Sequence, residues 1–292
     1  MQRFSIDTFG HKAGEGQRAR NYLRKDIALI LDSDMMGHEV VSVGEPMRAT
    51  EGRLVRVVTG TATYRINLED YQLSVHDIII IPPESIIEII SHTPDFAIEA
   101  LVISSLPGIH QEEYARHLPN EVTHLSLATE DWNRQTQFIH LISVLLDCDE
   151  PPMDAVSHLI LSMVIDLKRT LKKATPRQSV RKMSRGEQTF HQFLRLANEY
   201  GYRERNVTFY AERLLITPNH LSAIVRQQSN QTVIDWLTQR TLAEARILLR
   251  HSTLMMYEIA EHLNFPEATA FGRYFKKYMQ QTPLEYREGD NT

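Results

Sequence analysis

Two short stretches in the C-terminal third of the chain have residue types and a spacing that suit binding to another macromolecule. Each has three apolar residues at positions i, i+3 and i+4, which lie on one face of a helix. The two sets are Leu221, Ile224 and Val225, then Phe271, Tyr274 and Phe275. The opposite face of each helix is polar and free to form hydrogen bonds and ion pairs. Two such helices in one rigid domain are typical of a protein that binds double-stranded DNA in two grooves.

Each polar helix is preceded by a short apolar helix and a tight turn. The preceding segments are marked by Ala211, Leu214 and Ile216-Thr217-Pro218 in the first unit, and by Ala260, Leu263 and Phe265-Pro266 in the second. Thr217 can cap exposed backbone N–H groups, and proline is tolerated at the first helical position. A helix over about Val233–Arg250 connects the units and spans roughly 27 Å. This length is compatible with successive major grooves, which lie about 34 Å apart.

Charge is divided unevenly along the 292 residues. The net charge is −5, but residues 1–183 carry −6 and residues 184–288 carry +2. Between Lys168 and Arg185 there are eight basic residues and no acidic one. This asymmetry fits an acidic sensory half and a nucleic-acid half. A solvated linker that contacts nothing explains the basic stretch equally well.

Composition excludes several classes of protein. The single cysteine, Cys148, excludes an internal disulfide and a multi-thiolate metal site. No apolar run approaches the roughly 18–20 residues that cross a bilayer. The N-terminus lacks the apolar segment of a secretory signal. We therefore expect a cytoplasmic protein without a membrane segment.

The first hundred residues are predicted to be β-rich. Short β-branched or apolar runs are separated by turn signals such as Thr59-Gly60 and Pro82-Pro83. The predicted strands are Asp26–Leu31, Glu39–Val43, Leu54–Val58, Thr61–Ile66, Ile78–Ile81, Ile86–Ile90 and Phe96–Ser104. Strands of this length and spacing indicate a sandwich or small barrel.

From about Asp131 the apolar period becomes helical. Two amphipathic helices separated by Pro151-Pro152 form either a dimerisation element or a cover for the domain's own core. Residues 174–185 are polar and aperiodic, so we place a linker there. The predicted domains are residues 1–173, β-rich to about 106 and helical from about 129, and residues 186–288. The second domain begins with a helix that Gly201 ends.

Residues 207–287 resemble the DNA-binding domain of the AraC/XylS family of bacterial transcription regulators. The matching segments are Tyr210-Ala211-Glu212, Ile216-Thr217-Pro218, Leu221-Ser222, Ala245-Arg246-Ile247-Leu248-Leu249, Glu258-Ile259-Ala260, Leu263-Asn264-Phe265, Phe271-Gly272-Arg273-Tyr274-Phe275-Lys276-Lys277 and Thr282-Pro283-Leu284-Glu285-Tyr286-Arg287. The run from Leu73 to Pro83 and the strand count resemble a cupin-like regulatory domain. The resemblance implies an α+β, two-domain chain: an N-terminal β-rich, cupin-like barrel with a helical hairpin, and a C-terminal all-α tandem helix-turn-helix domain.

The chain departs from the family pattern at four positions. Asn230, Asn264 and Gln280 stand where the family usually has glycine. Asparagine tolerates a left-handed backbone, whereas glutamine does so less readily, so a different turn is expected at Gln280. Thr241 stands where the family often has an arginine, and Arg240 is one place earlier.

The resemblance implies that the outer face of each second helix reads base edges. By position, the base-reading candidates are Asn219, Ser222, Ala223 and Arg226 in the first unit, and Ala268, Thr269, Gly272 and Arg273 in the second. Arg273 suits bidentate hydrogen bonds to guanine, and Asn219 suits adenine. The phosphate-contact candidates are Thr217, His220, Lys276 and Lys277.

We therefore expect a sequence-specific transcription regulator, a homodimer controlled by a small-molecule effector in its N-terminal domain. We expect no enzyme activity and no cofactor or metal, because His11, His38, His76, His92 and His110 lack the His-x-His spacing of metal-binding cupins. Two alternatives remain open. One is a cupin-type metal enzyme with an accessory DNA-binding domain, and the other is a constitutive DNA-binding protein without an effector.

Overall fold

The computed structural model describes residues 21–31, 43–110, 112–113, 117, 119, 121–174 and 184–289. The chain divides into two compact units, Arg3–Gln178 and Ser179–Thr292. The predicted strand Glu39–Val43 lies almost wholly outside the described residues, as do His11 and His38. None of the described helices is long and apolar enough to span a membrane.

The described part of the first unit contains ten strands followed by two helices. The strands are β1 (Asn21–Leu23), β2 (Ile27–Ile30), β3 (Met47–Ala49), β4 (Gly52–Thr59), β5 (Ala62–Ile66), β6 (Glu69–Leu73), β7 (Asp77–Ile81), β8 (Ser85–His92), β9 (Ala97–Ile103) and β10 (Thr123–Ser126), and the helices are α1 (Thr129–Leu146) and α2 (Met153–Ala174). This order confirms a β-rich domain followed by a helical hairpin.

The strands form two antiparallel sheets that are not closed into a barrel. The larger sheet has the order β1-β2-β9-β4-β7-β10, and the smaller has the order β3-β8-β5-β6. Side chains from both sheets share one apolar core, including Val55 and Ile79 from the larger sheet and Tyr64 and Ile89 from the smaller. Side-chain packing, rather than a hydrogen-bonded closure among the described strands, joins the two layers. The described strands therefore form an open two-sheet sandwich.

The larger sheet is buried on both faces, which explains why β2 and β7 are apolar along most of their length. Ile79 and Ile81 point into the core between the sheets. Ile78 and Ile80 point the other way and pack in a second core that includes Ile142 of α1. Side chains alternate across a strand, so a strand covered on both faces loses the usual polar alternation. The hairpin thus closes the core of its own unit, one of the two roles that the sequence left open.

The buried Arg56 links the larger sheet to the hairpin. Arg56 Nη1 on β4 lies 2.6 Å from Glu99 Oε2 on β9, and its Nη2 donates to the Thr136 hydroxyl of α1 at 2.6 Å. The same guanidinium lies 4.1 Å from the ring centroid of Trp132. Burial lowers the pKa of Arg56, and the nearby Glu99 opposes that change. The Arg56 guanidinium therefore contacts both a neighbouring strand of the sheet and the first helix of the hairpin.

The second unit is all helical in its described residues. Its helices are α3 (Arg185–Tyr200), α4 (Val207–Arg213), α5 (Pro218–Ser229), α6 (Val233–His251), α7 (Met256–His262), α8 (Ala268–Met279) and α9 (Pro283–Glu288). The connecting helix α6 buries Trp236, Leu237, Ala245, Leu248 and Leu249, so it forms the centre of the unit. This arrangement confirms the predicted tandem helix-turn-helix domain.

Gly201 follows α3, where the sequence predicts the helix to end, but its role differs from a left-handed cap. Its φ is −63°, which any residue can adopt. A Cβ at this position would lie 2.4 Å from the Ala197 carbonyl oxygen and 3.2 Å from Cγ of Arg240. Glycine therefore permits the close approach of α6 to the end of α3.

Candidate nucleic-acid interface

The two helix-turn-helix units repeat the same local geometry. α4 and α7 are each seven residues long, and α5 and α8 are each twelve. In the first turn the Ile216 N–H donates to the Ala211 carbonyl at 3.0 Å, and in the second the Phe265 N–H donates to Ala260 at 2.8 Å. The preceding residues, Leu215 and Asn264, have φ of 56° and 57°. The turns are therefore equivalent, although glycine is absent from both.

The second helices of the units also end alike. Asn230 and Gln280 both have φ of 60°, and their N–H groups donate to the carbonyls of Arg226 and Lys276, each at 3.0 Å. A left-handed residue commonly ends a helix in this way. The different turn expected at Gln280 is not found. Its side-chain amide donates to the Lys277 carbonyl at 3.0 Å, which compensates part of the cost.

The buried stripes of α5 and α8 lie inward as predicted. Leu221 and Val225 are fully buried, as are Phe271 and Phe275. Ile224 is also buried, whereas Tyr274 is half-buried. The polar faces of both helices therefore point outward, away from the core of the unit.

The structure places the base-reading candidates on these accessible faces. Exposed members are Asn219, Ser222, Ala223, Arg226, Thr269 and Arg273, and half-buried members are Ala268 and Gly272. The phosphate-contact candidates Thr217, His220, Lys276 and Lys277 are also exposed. Three hydroxyls are already engaged: Thr217 Oγ1 accepts from the His220 N–H at 3.2 Å, Ser222 donates to the Pro218 carbonyl at 2.9 Å, and Thr269 donates to the Glu267 carboxylate.

Aligning the buried stripes pairs each position of α5 with one of α8. Arg273 falls opposite Ala223, and Lys276 falls opposite Arg226. Gly272, on the outer face of α8, has no atom within 4 Å of the position that a Cβ would take. The outer face of α8 therefore has the long cationic side chain of Arg273 next to the open space at Gly272.

The starts of the two helices differ in chemistry. Thr217 caps α5 with its hydroxyl, whereas Glu267, in the same place before α8, makes no side-chain cap. The Glu267 carboxylate instead accepts a hydrogen bond from the Thr269 hydroxyl, and its Oε1 lies 3.9 Å from Arg273 Nη2. Sequence reasoning missed Glu267. The available signal was a glutamate at a capping position, where Ser, Thr, Asp and Asn are preferred.

An arginine that precedes α4 holds the turn between α7 and α8 in place. Arg205, between α3 and α4, donates from Nη1 to the Leu263 carbonyl at 2.7 Å and from Nη2 to the Asn264 carbonyl at 2.6 Å. Its guanidinium lies 4.2 Å from the Phe265 ring centroid. In return, Asn264 Nδ2 donates to the Arg203 carbonyl at 3.2 Å. No local sequence pattern could reveal this anchor, because its partners lie about sixty residues away.

A second network passes through the connecting helix. Arg240 and Glu244 are both buried, with Nη1 and Oε2 2.9 Å apart. Arg240 Nε donates to the Asn198 carbonyl of α3 at 3.0 Å, and Glu244 Oε1 lies 3.5 Å from His262 Nε2 of α7. The network therefore links α3, the connecting helix α6 and α7 of the second helix-turn-helix unit.

The Thr241 hydroxyl of α6 also contacts the residue that follows α3. It lies 3.0 Å from the Gly201 carbonyl and 2.8 Å from the Leu237 carbonyl, and Thr241 is fully buried. Arg240, one place earlier, faces α3 through its hydrogen bond to the Asn198 carbonyl.

In the part of the chain that the structure describes, no group of three or more His, Cys, Asp or Glu side chains could hold a metal ion. His76 lies against Trp132, with ring centroids 4.9 Å apart. His92 Nδ1 lies 3.0 Å from the Thr93 carbonyl.

Comparisons with known proteins agree with this geometry. Residues 210–289 match a family model described as a helix-turn-helix domain. The Escherichia coli protein YpdC, an uncharacterised HTH-type transcriptional regulator, is 26% identical over 148 residues, which are 50% of this chain and 50% of YpdC. The arabinose operon regulatory protein of Salmonella typhimurium is 26% identical over 84 residues, or 29% of this chain and 30% of that protein.

The C-terminal domain of the two-component response regulator yesN from Fusobacterium nucleatum was also matched among solved structures. It has 29% identity and a TM-score of 0.31, covering 32% of this chain and 93% of that domain. The chain spans half or less of the length of the two curated relatives above. The family model covers the segment that carries the duplicated turns. The C-terminal unit of this chain contains a helix-turn-helix domain, and it is similar to part of these AraC-type regulators.

Proposed function

We propose that the chain is a sequence-specific transcription regulator that inserts α5 and α8 into successive major grooves of double-stranded DNA. The observation that carries the proposal is the duplicated turn, repeated hydrogen bond for hydrogen bond, with each polar helix face turned outward. A helix of about 10–12 Å diameter fits a major groove about 12 Å wide. A DNA target places its site of action in the cytoplasm.

The outward residues divide into two roles. Arg273 is the best equipped to read a base, because a guanidinium donates two parallel hydrogen bonds to guanine. Asn219, Thr269 and Arg226 would add base contacts, and Lys276 and Lys277 would contact phosphates. Phosphate contacts position a protein on the duplex and carry no sequence information directly.

The N-terminal unit would supply regulation. A small organic effector would bind in this unit. Leu141 and Val144 of α1 and Ile165 of α2 are exposed apolar side chains on the hairpin, and they support a homodimer through this element. A thermal-shift screen of the full chain against a metabolite panel tests the effector. A flat response throughout would favour a constitutive DNA-binding protein.

Selection of bound sites from a random duplex pool tests the proposal as a whole. We expect the pool to converge on one motif, with an affinity at least 10³-fold above that for random duplexes. Equal affinity for the enriched motif and for random duplexes, at the same salt concentration, would contradict sequence-specific binding.

A further inference from the structure

One carboxylate contacts two of the polar side chains on the outer face of α8. The Glu267 carboxylate accepts from the Thr269 hydroxyl and lies 3.9 Å from the guanidinium of Arg273. It makes no capping hydrogen bond to the helix backbone. The carboxylate is therefore engaged with the side chains proposed to face DNA, and not with the helix itself.

An acidic group is costly on a surface that approaches phosphates. The carboxylate is repelled by the DNA backbone, and it loses hydration when water leaves the groove. In the free protein the side chains of Arg273 and Glu267 are 81% and 61% exposed, so water screens their attraction. Within the groove the lower dielectric strengthens the same attraction. The pair therefore gains most of its strength when α8 is bound to DNA.

The pair also restricts what Arg273 can contact. Its side chain is long and flexible, and without a partner it can reach a phosphate as readily as a base. A guanidinium has five N–H donors, so contact through one Nη2 proton leaves others for guanine O6 and N7. We propose that Glu267 is a positioning residue that directs Arg273 towards a base and away from phosphates, and so sets specificity. This inference rests on the proposed function.

The test compares wild type with Glu267→Gln, Glu267→Ser, Arg273→Ala and the double variant Glu267→Gln/Arg273→Ala, all in the full chain. Serine removes the carboxylate but supplies a capping hydroxyl, which separates positioning from helix stability. Glu261→Gln, an exposed glutamate on α7, is the control with the same charge change. Fluorescence anisotropy measures the Kd for the selected duplex, for duplexes with each base pair replaced, and for a random duplex.

We expect both Glu267 variants to lose about tenfold of the discrimination at one base pair, within the range of one bidentate contact. Both should bind the random duplex two- to threefold more tightly, since one repelling charge is gone. Glu261→Gln should keep the discrimination of wild type at every base pair. In the Arg273→Ala background, Glu267→Gln should have no further effect at that base pair.

Three results would overturn the inference. Equal weakening on all duplexes would show a structural role. Loss of discrimination that persists in the Arg273→Ala background would show that Glu267 reads a base itself. A wild type with no preference among duplexes would refute the proposed function, and this inference with it.

Discussion

The two candidate recognition helices differ most where Arg273 of α8 stands opposite Ala223 of α5. An arginine can discriminate guanine by two hydrogen bonds, whereas alanine offers only a methyl contact. Both residues are exposed on equivalent turns of equivalent helices. We infer that the two units contribute unequally to specificity, and that the second contributes more.

Arg273→Ala should weaken binding to the selected duplex by roughly 1–3 kcal/mol and relax the preference at one base pair. Lys276→Ala should weaken binding to all duplexes alike and reduce the slope of log K against log salt by about one. Titrations of both variants on selected and random duplexes at several salt concentrations distinguish the roles. A loss of preference at one base pair with Lys276→Ala would reverse the assignment.

Gly272 offers a sharper test of contact with DNA, because stability and binding should change in opposite directions. It lies inside α8 with open space around its missing Cβ. Alanine is favoured over glycine in a helix by about 0.5–1 kcal/mol, so Gly272→Ala should raise the thermal midpoint of the second unit. If DNA approaches α8 closely at this point, the same change should weaken DNA binding. Tighter or unchanged binding would remove Gly272 from the interface.

At the scale of elements, the sequence predicted those with strong local signals and missed those without. The tandem helices have clear apolar patterns, and some begin at capping signals, such as Thr217-Pro218 before α5 and Thr232 with Asp235 before α6. Four strands were missed, namely β1, β3, β6 and β10. They are three to five residues long, and their exposed or half-buried residues give no apolar run. Pairing with longer strands makes them β, and that pairing is not local.

The candidate site shows the same division. The outward positions of α5 and α8 follow from the helical period, and the structure leaves all of them accessible or half-buried. Contacts between distant parts of the C-terminal unit could not be predicted from the sequence. Arg205, for example, donates to two carbonyls in the turn of the second helix-turn-helix unit. An i, i+4 pair such as Arg240 and Glu244 is usually expected on the surface, yet this pair is buried.

This buried pair yields a prediction for stability. Arg240→Ala removes the nearest cation from a carboxylate that stays buried, and such losses cost about 3–5 kcal/mol. The double change Arg240→Met/Glu244→Met should recover most of that free energy, because no buried charge remains. Urea unfolding of the full chain, followed by helical circular dichroism, measures both variants. Equal destabilisation by the single and double changes would show that packing, and not charge, is the main contribution.

At the scale of the whole molecule, the net charge of −5 is unevenly distributed, and the part proposed to bind DNA is positively charged. The 184–288 segment carries +2, and on α8 three cations, Arg273, Lys276 and Lys277, lie on or beside the proposed interface. Screening limits each charge to about 8–10 Å at physiological salt, so the local surface matters more than the total. We infer that the acidic charge of residues 1–183 does not prevent the proposed binding to DNA.

The length of the connecting helix predicts the spacing of the two sites that one chain contacts on DNA. α6 has 19 residues, and at about 1.5 Å per residue it spans roughly 28 Å. With the turns at each end, it can hold α5 and α8 near the separation of about 34 Å between successive major grooves. Base-methylation interference on the selected duplex should therefore show two patches about ten base pairs apart, on one face. Arg273→Ala combined with Lys276→Ala and Lys277→Ala should erase one patch and keep the other, because the α5 contacts remain. A single continuous patch in wild type, or loss of both patches in this variant, would refute independent reading by two helices.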